Sequence, residues 1–301
     1  MKSFEAVAAL VMLAASAPFA IPDVDWTGTK ADRRHAGLLG AVHTVTSSGA
    51  MFSGSSGDWT EGPRSGQSVT TYAEDGTRVE IRWDTGSGPY SDAVMARLVY
   101  SRNKDGILVG MTGYTRKGKL SEADQYSFDQ NGRAVELKMT GSAGLLHRSV
   151  LKYDGAGRVN ETIEYDKNNK VLNRTEIRYE DGERNVEAVT YSQVGSIFSR
   201  TRIISQEKSL ILEYFLYADD HSLEKKIESR WDENGRQHQR ELDYSPDSAL
   251  RETHVFEYQY DTVGNWIREK ESVCTWRFWI FQSCDPVKVT YRTITYYPEN
   301  K

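Results

Sequence analysis

The chain has 301 residues, with 38 Lys and Arg against 43 Asp and Glu and a formal net charge of −5. That mildly acidic balance argues against a protein that neutralises nucleic-acid phosphates with a basic face. No apolar stretch reaches the roughly 18–20 residues a membrane-spanning helix needs, and the mean hydropathy of −0.62 fits a folded chain with a charged, solvated surface.

The N-terminus reads as a secretory signal over residues 1–20. Lys2 supplies the positive charge and Ala6 to Ala17 forms a continuous apolar and small-residue run. Leu13-Ala14-Ala15 and Ala14-Ala15-Ser16 offer cleavage sites, whereas cutting after Ala17 would leave Pro18 at the junction. Glu5 stands where a basic residue is expected, so the competing reading is an Ala-rich helix. No Cys follows the apolar run, which argues against a lipoprotein signal. The mature chain, 21–301, shows no linker and is expected to be one domain.

Asp23 to Arg34 reads as an extended entry segment. Leu38 to Phe52 suggests a first long strand, and Ser53 to Gly57 a Ser/Gly loop. From about residue 70 a short-period repeat dominates. An aromatic residue followed by an Asp/Asn/Gly turn recurs, as in Tyr153-Asp154-Gly155-Ala156-Gly157-Arg158 and Tyr260-Asp261-Thr262-Val263-Gly264-Asn265-Trp266. Variants stand at Phe128 to Arg133 and Trp231 to Arg236, with weaker ones at Tyr72, Tyr165 and Tyr179. The landmarks fall about 13 residues apart, leaving eight or nine for one strand between turns. Parallel crossovers need a dozen or more residues between strands, so the spacing predicts an antiparallel meander. Asp at the first turn position accepts backbone hydrogen bonds, and Gly three places on supplies a left-handed conformation.

The segments between turns alternate with period two. Val159, Glu161, Ile163 and Tyr165 share one face; Thr175, Ile177 and Tyr179 oppose Arg174, Glu176 and Arg178. Val289, Tyr291, Thr293 and Thr295 oppose Lys288, Thr290 and Arg292. The expectation is one apolar, aromatic face and one charged face. Ser222 to Arg230 could pass as a short helix, but strand is favoured. An outer-membrane barrel shares this meander, yet Arg200 and Arg202 lie on the face of Phe198 and Ile204, which breaks the charge-free lipid face such a barrel needs.

The two cysteines, Cys274 and Cys284, flank a nine-residue β-prone segment. A hairpin disulfide is favoured over a zinc site, which would need four ligands and has no nearby His. A disulfide points to an oxidising compartment. Between the cysteines, Trp276, Phe278 and Trp279 form an aromatic cluster that the repeat does not explain. Exposed, it is a candidate ligand-binding platform; buried, it caps the sheet core.

No catalytic or cofactor motif emerges. Gly54-Ser55-Ser56-Gly57 lacks the strand-turn-helix setting of a nucleophile elbow. The six His residues are scattered one per strand or turn and read as surface or edge residues. Asp129, Asn131, Asp232 and Asn234 copy the first positions of a calcium loop but lack the later ligands, and turn formation accounts for them. No metal site and no cofactor is expected.

At the Tyr-Asp-x-x-Gly turns the sequence resembles bacterial YD-repeat proteins, the family that includes RHS elements, over about residues 35–300. The resemblance implies a secreted β-repeat protein. Large RHS proteins enclose a C-terminal toxin released at an Asp-Pro motif; here Asp285-Pro286 leaves almost no chain behind it, so that role does not carry over.

The reading from sequence is therefore an all-β, antiparallel meander of roughly 16 strands forming one large curved or spiralling sheet, secreted or periplasmic. Its expected role is non-enzymatic binding of a polysaccharide or another envelope component, without nucleic acid and without a membrane span. The alternatives are a structural protein associating through sheet edges, and a hydrolase with a site on the concave face.

Overall fold

The computed structural model describes residues 32–33, 36–55, 57–84, 95–180, 184–206, 209–232, 236–243, 250–277 and 280–298. The signal segment and most of Asp23 to Arg34 lie outside the described residues.

Nineteen strands follow one another without a helix among the described residues. They are β1 Val42–Ser55, β2 Asp58–Glu61, β3 Ser65–Tyr72, β4 Arg78–Trp83, β5 Met95–Arg102, β6 Leu108–Thr115, β7 Leu120–Phe128, β8 Ala134–Gly141 and β9 Gly144–Tyr153. The second half runs β10 Val159–Asp166, β11 Val171–Glu180, β12 Asn185–Ser192, β13 Ile197–Gln206, β14 Ser209–Tyr217, β15 Leu223–Asp232, β16 Gln237–Asp243, β17 Leu250–Tyr260, β18 Trp266–Arg277 and β19 Ile280–Tyr296. The Ser222 to Arg230 segment is strand from Leu223 on, as expected. The Ser/Gly segment is not a plain loop: Phe52 to Ser55 pair with Asp58 to Glu61 as a hairpin beyond the main sheet.

The sheet closes. From β3 to β19 each strand pairs antiparallel with the next, and β1 pairs with both β3 and β19. With β2 pairing only β1, eighteen strands form a barrel, not the open sheet expected from sequence. The physical reason is accumulated twist and coil: a sheet this wide cannot stay flat, and closure removes both long edges. At about 4.8 Å per strand, an eighteen-strand ring is at least about 27 Å across between backbones, and strand tilt widens it further, well beyond the ~10 Å of two packed sheets. Among the described residues the three apolar clusters run along the wall through neighbouring strands and none joins opposite walls, so the described strands surround a lumen without a core packed across it.

Cross-strand partners share a face, which separates the inner wall from the outer. Ile177, Ala188, Thr201, Tyr214 and Ile227 form one row. Glu161, Glu176, Val189 and Arg200 form a row on the opposite face. The second face points to bulk solvent: Arg178 and Arg82 each keep 65% of their side chains exposed. It carries runs of ion pairs, among them Glu80 with Arg82 and Arg97, Glu136 with Lys138 and Arg148, and Arg202–Glu213–Lys226–Glu228–Arg230.

Two expected face assignments are corrected. A bulge between Val159 and Glu161 turns Val159 inward with Tyr153, while Glu161, Ile163 and Tyr165 face outward. A bulge adds one residue and so resets the period-two alternation. In β19 the charged side is the inner one: Arg292 pairs in register with Ser47, on the face of Thr290 and Lys288. Tyr291 is outside, where its hydroxyl donates to Glu61 and Arg64 lies 3.5 Å from its ring centre. The hairpin after β1 thus covers the outer patch in which Val289 and Ala50 are buried.

The turns behave as their residues dictate. In Asp129–Arg133, Asp154–Arg158 and Asp261–Asn265 the first N–H donates to the fifth carbonyl, and the fourth N–H donates back to the first carbonyl. The Asp carboxylates accept from the backbone N–H groups two and four residues on. Gly157 and Gly264 hold φ of 80° and 100°, where a side chain would be strained.

Candidate functional site

Because neighbouring strands run in opposite directions, the turns after β3, β5, β7, β9, β15 and β17 share one rim. At that rim the sequence builds a clasp. Arg158 donates to Asp154 of its own turn, its guanidinium lies 4.5 Å from the Tyr179 ring centre, and the Tyr179 hydroxyl donates to the Val159 carbonyl at 2.8 Å. Arg133, Tyr153 and Ala134 repeat the arrangement, with Arg133 4.6 Å from the Tyr153 ring centre and Tyr153 bonded to the Ala134 carbonyl. Arg236 lies 4.2 Å from the Tyr260 ring centre, and the neighbouring Tyr258 hydroxyl donates to the Gln237 carbonyl. The repeat tyrosines Tyr153 and Tyr260 are therefore rim residues with structural partners.

Inside this rim runs an apolar belt. Leu151, Val159, Ile177, Val186, Ile203, Leu212 and Trp231 supply one arc; Leu108, Tyr126 and Ala134 a second; Val42, Val45, Tyr72 and Ile294 a third. The segment before β1 crosses part of the rim. Asp32 bridges to Thr77, Arg33 N–H donates to Gly76, and Leu39 is bound by the side chain of Asn265 in the far turn. Leu38 is buried against Val42 and Tyr72.

Toward the other rim the inner wall becomes polar. Ser47, Ser68, Thr190, Ser199 and Lys288 all lie on the inner face. On β16–β18, Arg240, His254 and Glu271 converge. His254 Nδ1 lies 2.6 Å from Glu271 Oε1, and Arg240 Nη2 donates to the same oxygen at 2.8 Å. The hydrogen bond from His254, helped by Arg240, holds the Glu271 carboxyl below its ordinary range against the effect of burial. No hydroxyl or thiol is hydrogen-bonded to His254 among the described residues, and its Nε2 is buried without a partner. The sequence placed all six His at the surface or edges, and His254 corrects that. One His per strand hides a site assembled from three strands.

Nearer the belt, Arg292 lies 3.3 Å from the Trp266 ring centre. Glu269 and Tyr258 stand opposite each other in register beside it, and burial raises the pKa of both. Across the lumen on β7, Asp124 faces inward between Met111 and Met139, with Oδ1 buried and unpartnered. Burial, with Glu122 adding to it, pushes its pKa up to about 6.

Cys274 and Cys284 are disulfide-bonded across β18 and β19. Phe278 and Trp279 lie outside the described residues. Trp276 is placed by backbone register alone, opposite Arg251 on one side and Phe281 on the other. Asp129 is engaged by its own turn and by Arg133, as the turn reading required. Among the described residues no cluster of His, Cys, Asp or Glu could hold a metal ion.

No family profile matches the chain, and no curated protein matches it. Among solved structures it is similar to a porin-like protein from Bacteroides uniformis ATCC 8492, with 13% identity and a TM-score of 0.43 over 86% of this chain and 98% of that one. It is also similar to a TcdB2-TccC3-TEV structure, with 12% identity and a TM-score of 0.37 over 80% of this chain and 15% of that one. A protein of unknown function from Bacteroides fragilis NCTC 9343 shares 13% identity, with a TM-score of 0.23 over 55% of this chain and 91% of that one.

Proposed function

We propose that the chain is an exported, non-enzymatic binding protein of the cell envelope, built from YD-type turns, that holds its ligand in the barrel lumen. The observation that carries this reading is the closed sheet with ion pairs outside and an apolar-to-polar wall inside. A barrel that crosses a membrane carries the opposite arrangement, apolar outward and polar inward. Here the charges of β4, β5 and β8–β15 would face lipid, so the outer surface is suited to water. The disulfide is compatible with an oxidising, extracytoplasmic address. Closure leaves the barrel strands without unpaired edges, which removes the support for association through sheet edges.

The test has two arms. The chain from Ile21 is titrated with the neutral dye N-phenyl-1-naphthylamine, which brightens in apolar surroundings, and is passed over insoluble polysaccharides and envelope fractions. Saturable one-to-one dye binding, retained in a Trp276→Ala/Trp279→Ala double variant, supports the lumen. Polysaccharide retention lost in that variant would move the site to the hairpin. Absence of both forms of binding would overturn the proposal.

One observation favours a second reading, a hydrolase. His254 and Glu271 converge on the concave face, as a general base and its orienting carboxylate would. Ester or glycoside cleavage abolished by His254→Ala in a folded variant would establish it.

A further inference from the structure

Arg292 occupies a position that the fold leaves unexplained. It projects inward from β19, one inward step from Ile294 and the apolar belt, in register with Ser47. It is enclosed deep in the molecule, yet its neighbours do not bury it fully, and it projects from the inner face of the wall. Burial pulls its pKa down to about 10, and it stays a cation. Among the described residues it makes no hydrogen bond and no ion pair; its Nε is buried without a partner, and one face is occupied by the Trp266 ring. Glu269 is the carboxyl whose charge acts on it, but no ion pair or hydrogen bond joins the two, so the guanidinium edge has no partner among the described residues. An enclosed, unpaired cation is expensive unless something compensates it.

The surroundings specify the partner. A guanidinium stacked on one ring has its edge free, and that edge fits a carboxylate with two parallel hydrogen bonds. On one side of Arg292 lie Val45, Ile294 and Tyr72 of the belt. Around the lumen Ile81, Leu98, Met111, Leu137 and Met139 face inward and remain partly exposed among the described residues, an apolar surface that Asp124 interrupts between Met111 and Met139. We infer that Arg292 is the head-group site of the lumen and that the ligand is a carboxylate-headed amphiphile, its acyl portion lying along this inner apolar wall. The inference rests on the lumen reading and names the ligand class.

Calorimetry and tryptophan fluorescence on the full mature chain with octanoate, 1-octanol and inorganic phosphate test it. Octanoate should bind about tenfold or more tighter than octanol, as expected for a desolvated Arg–carboxylate pair. Arg292→Met, similar in length but neutral, should bring the two ligands to equal affinity, chiefly by weakening octanoate. Arg292→Lys, which keeps the charge but loses the fork, should fall between and serves if the Met variant fails to fold. No octanoate preference in the wild type, or a preference that survives both substitutions, overturns the inference while dye and octanol binding leave the lumen reading standing. Phosphate binding without octanoate binding overturns the acyl assignment. Failure of dye, octanol and octanoate together overturns both.

Discussion

Asn265 and Leu39, 226 positions apart in the chain, are joined as if by a strand ladder: Leu39 N–H donates to Asn265 Oδ1 at 2.7 Å, and Asn265 Nδ2 donates to the Leu39 carbonyl at 2.9 Å. The same Nδ2 donates to the Tyr296 hydroxyl, which in turn donates to Asp261. One buried amide therefore ties the entry segment, the β17–β18 turn and the end of β19 together. Asn265→Ala should lower unfolding free energy by about 2–4 kcal/mol, since it leaves buried backbone groups unpaired. Asn265→Asp should cost as much, because a carboxylate cannot donate to the Leu39 carbonyl. Urea midpoints with unchanged slope would check both.

The rim clasp predicts coupling between distant repeats. Tyr179→Phe removes one hydrogen bond and should cost about 1 kcal/mol. Arg158→Ala removes the stacked cation as well. A double-mutant cycle of Arg158→Ala with Tyr179→Leu, which removes the ring that Tyr179→Phe keeps, should show a coupling of about 0.5–1 kcal/mol, the range for an exposed cation–π contact. Zero coupling would mean that the stacking is incidental.

Gly157→Ala isolates backbone strain. A Cβ there would meet nothing closer than Arg133 Nη1 at 3.8 Å, so sterics are not the issue. The φ of 80° remains unfavourable for Ala and should cost about 1 kcal/mol. Loss well above that would show that the turn is also packed.

Asp124 predicts a pH dependence of stability. Its folded pKa is raised to about 6, so the folded state prefers the protonated form. Its contribution is fully present below the unfolded value near 3.9 and is lost as pH rises through about 6. Asp124→Asn should match wild type near pH 3.5 and exceed it by about 2 kcal/mol above pH 6.5. The turn carboxylates Asp129, Asp154 and Asp166 act oppositely: backbone N–H groups hold their pKa values below normal, so their contribution exists above pH 4 and vanishes as pH falls. A flat difference between wild type and Asp124→Asn across that range would show that Asp124 is solvated.

Reduction of Cys274–Cys284, or the Cys274→Ala/Cys284→Ala variant, should lower stability by about 2–3 kcal/mol, the chain-entropy value for so short a loop. Reductant should leave the variant's own midpoint unchanged, and a shift there would point to another cause.

What could be read in the sequence was local. Tyr-Asp turns every 13 residues or so made an antiparallel all-β meander readable, because a turn's conformation is dictated by the Asp and Gly inside it. The candidate site was less legible. Arg158 and Arg133 were visible as the last letters of their turns, but their rings stand on other strands. Arg240, His254 and Glu271 lie on three strands with no common spacing, so no local pattern announces them.

The sequence by itself determined the turns, the strand lengths and the choice of two cysteines for one hairpin, since each depends on contacts within a few residues. Tertiary structure alone decided closure, and with it which face is inside. Alternation separates two faces of a strand but does not say which one a barrel encloses, and each bulge exchanges them. In β19 that decision placed the charged face inward and put Arg292 in the lumen, because the barrel's curvature belongs to all eighteen strands together and to none of them alone.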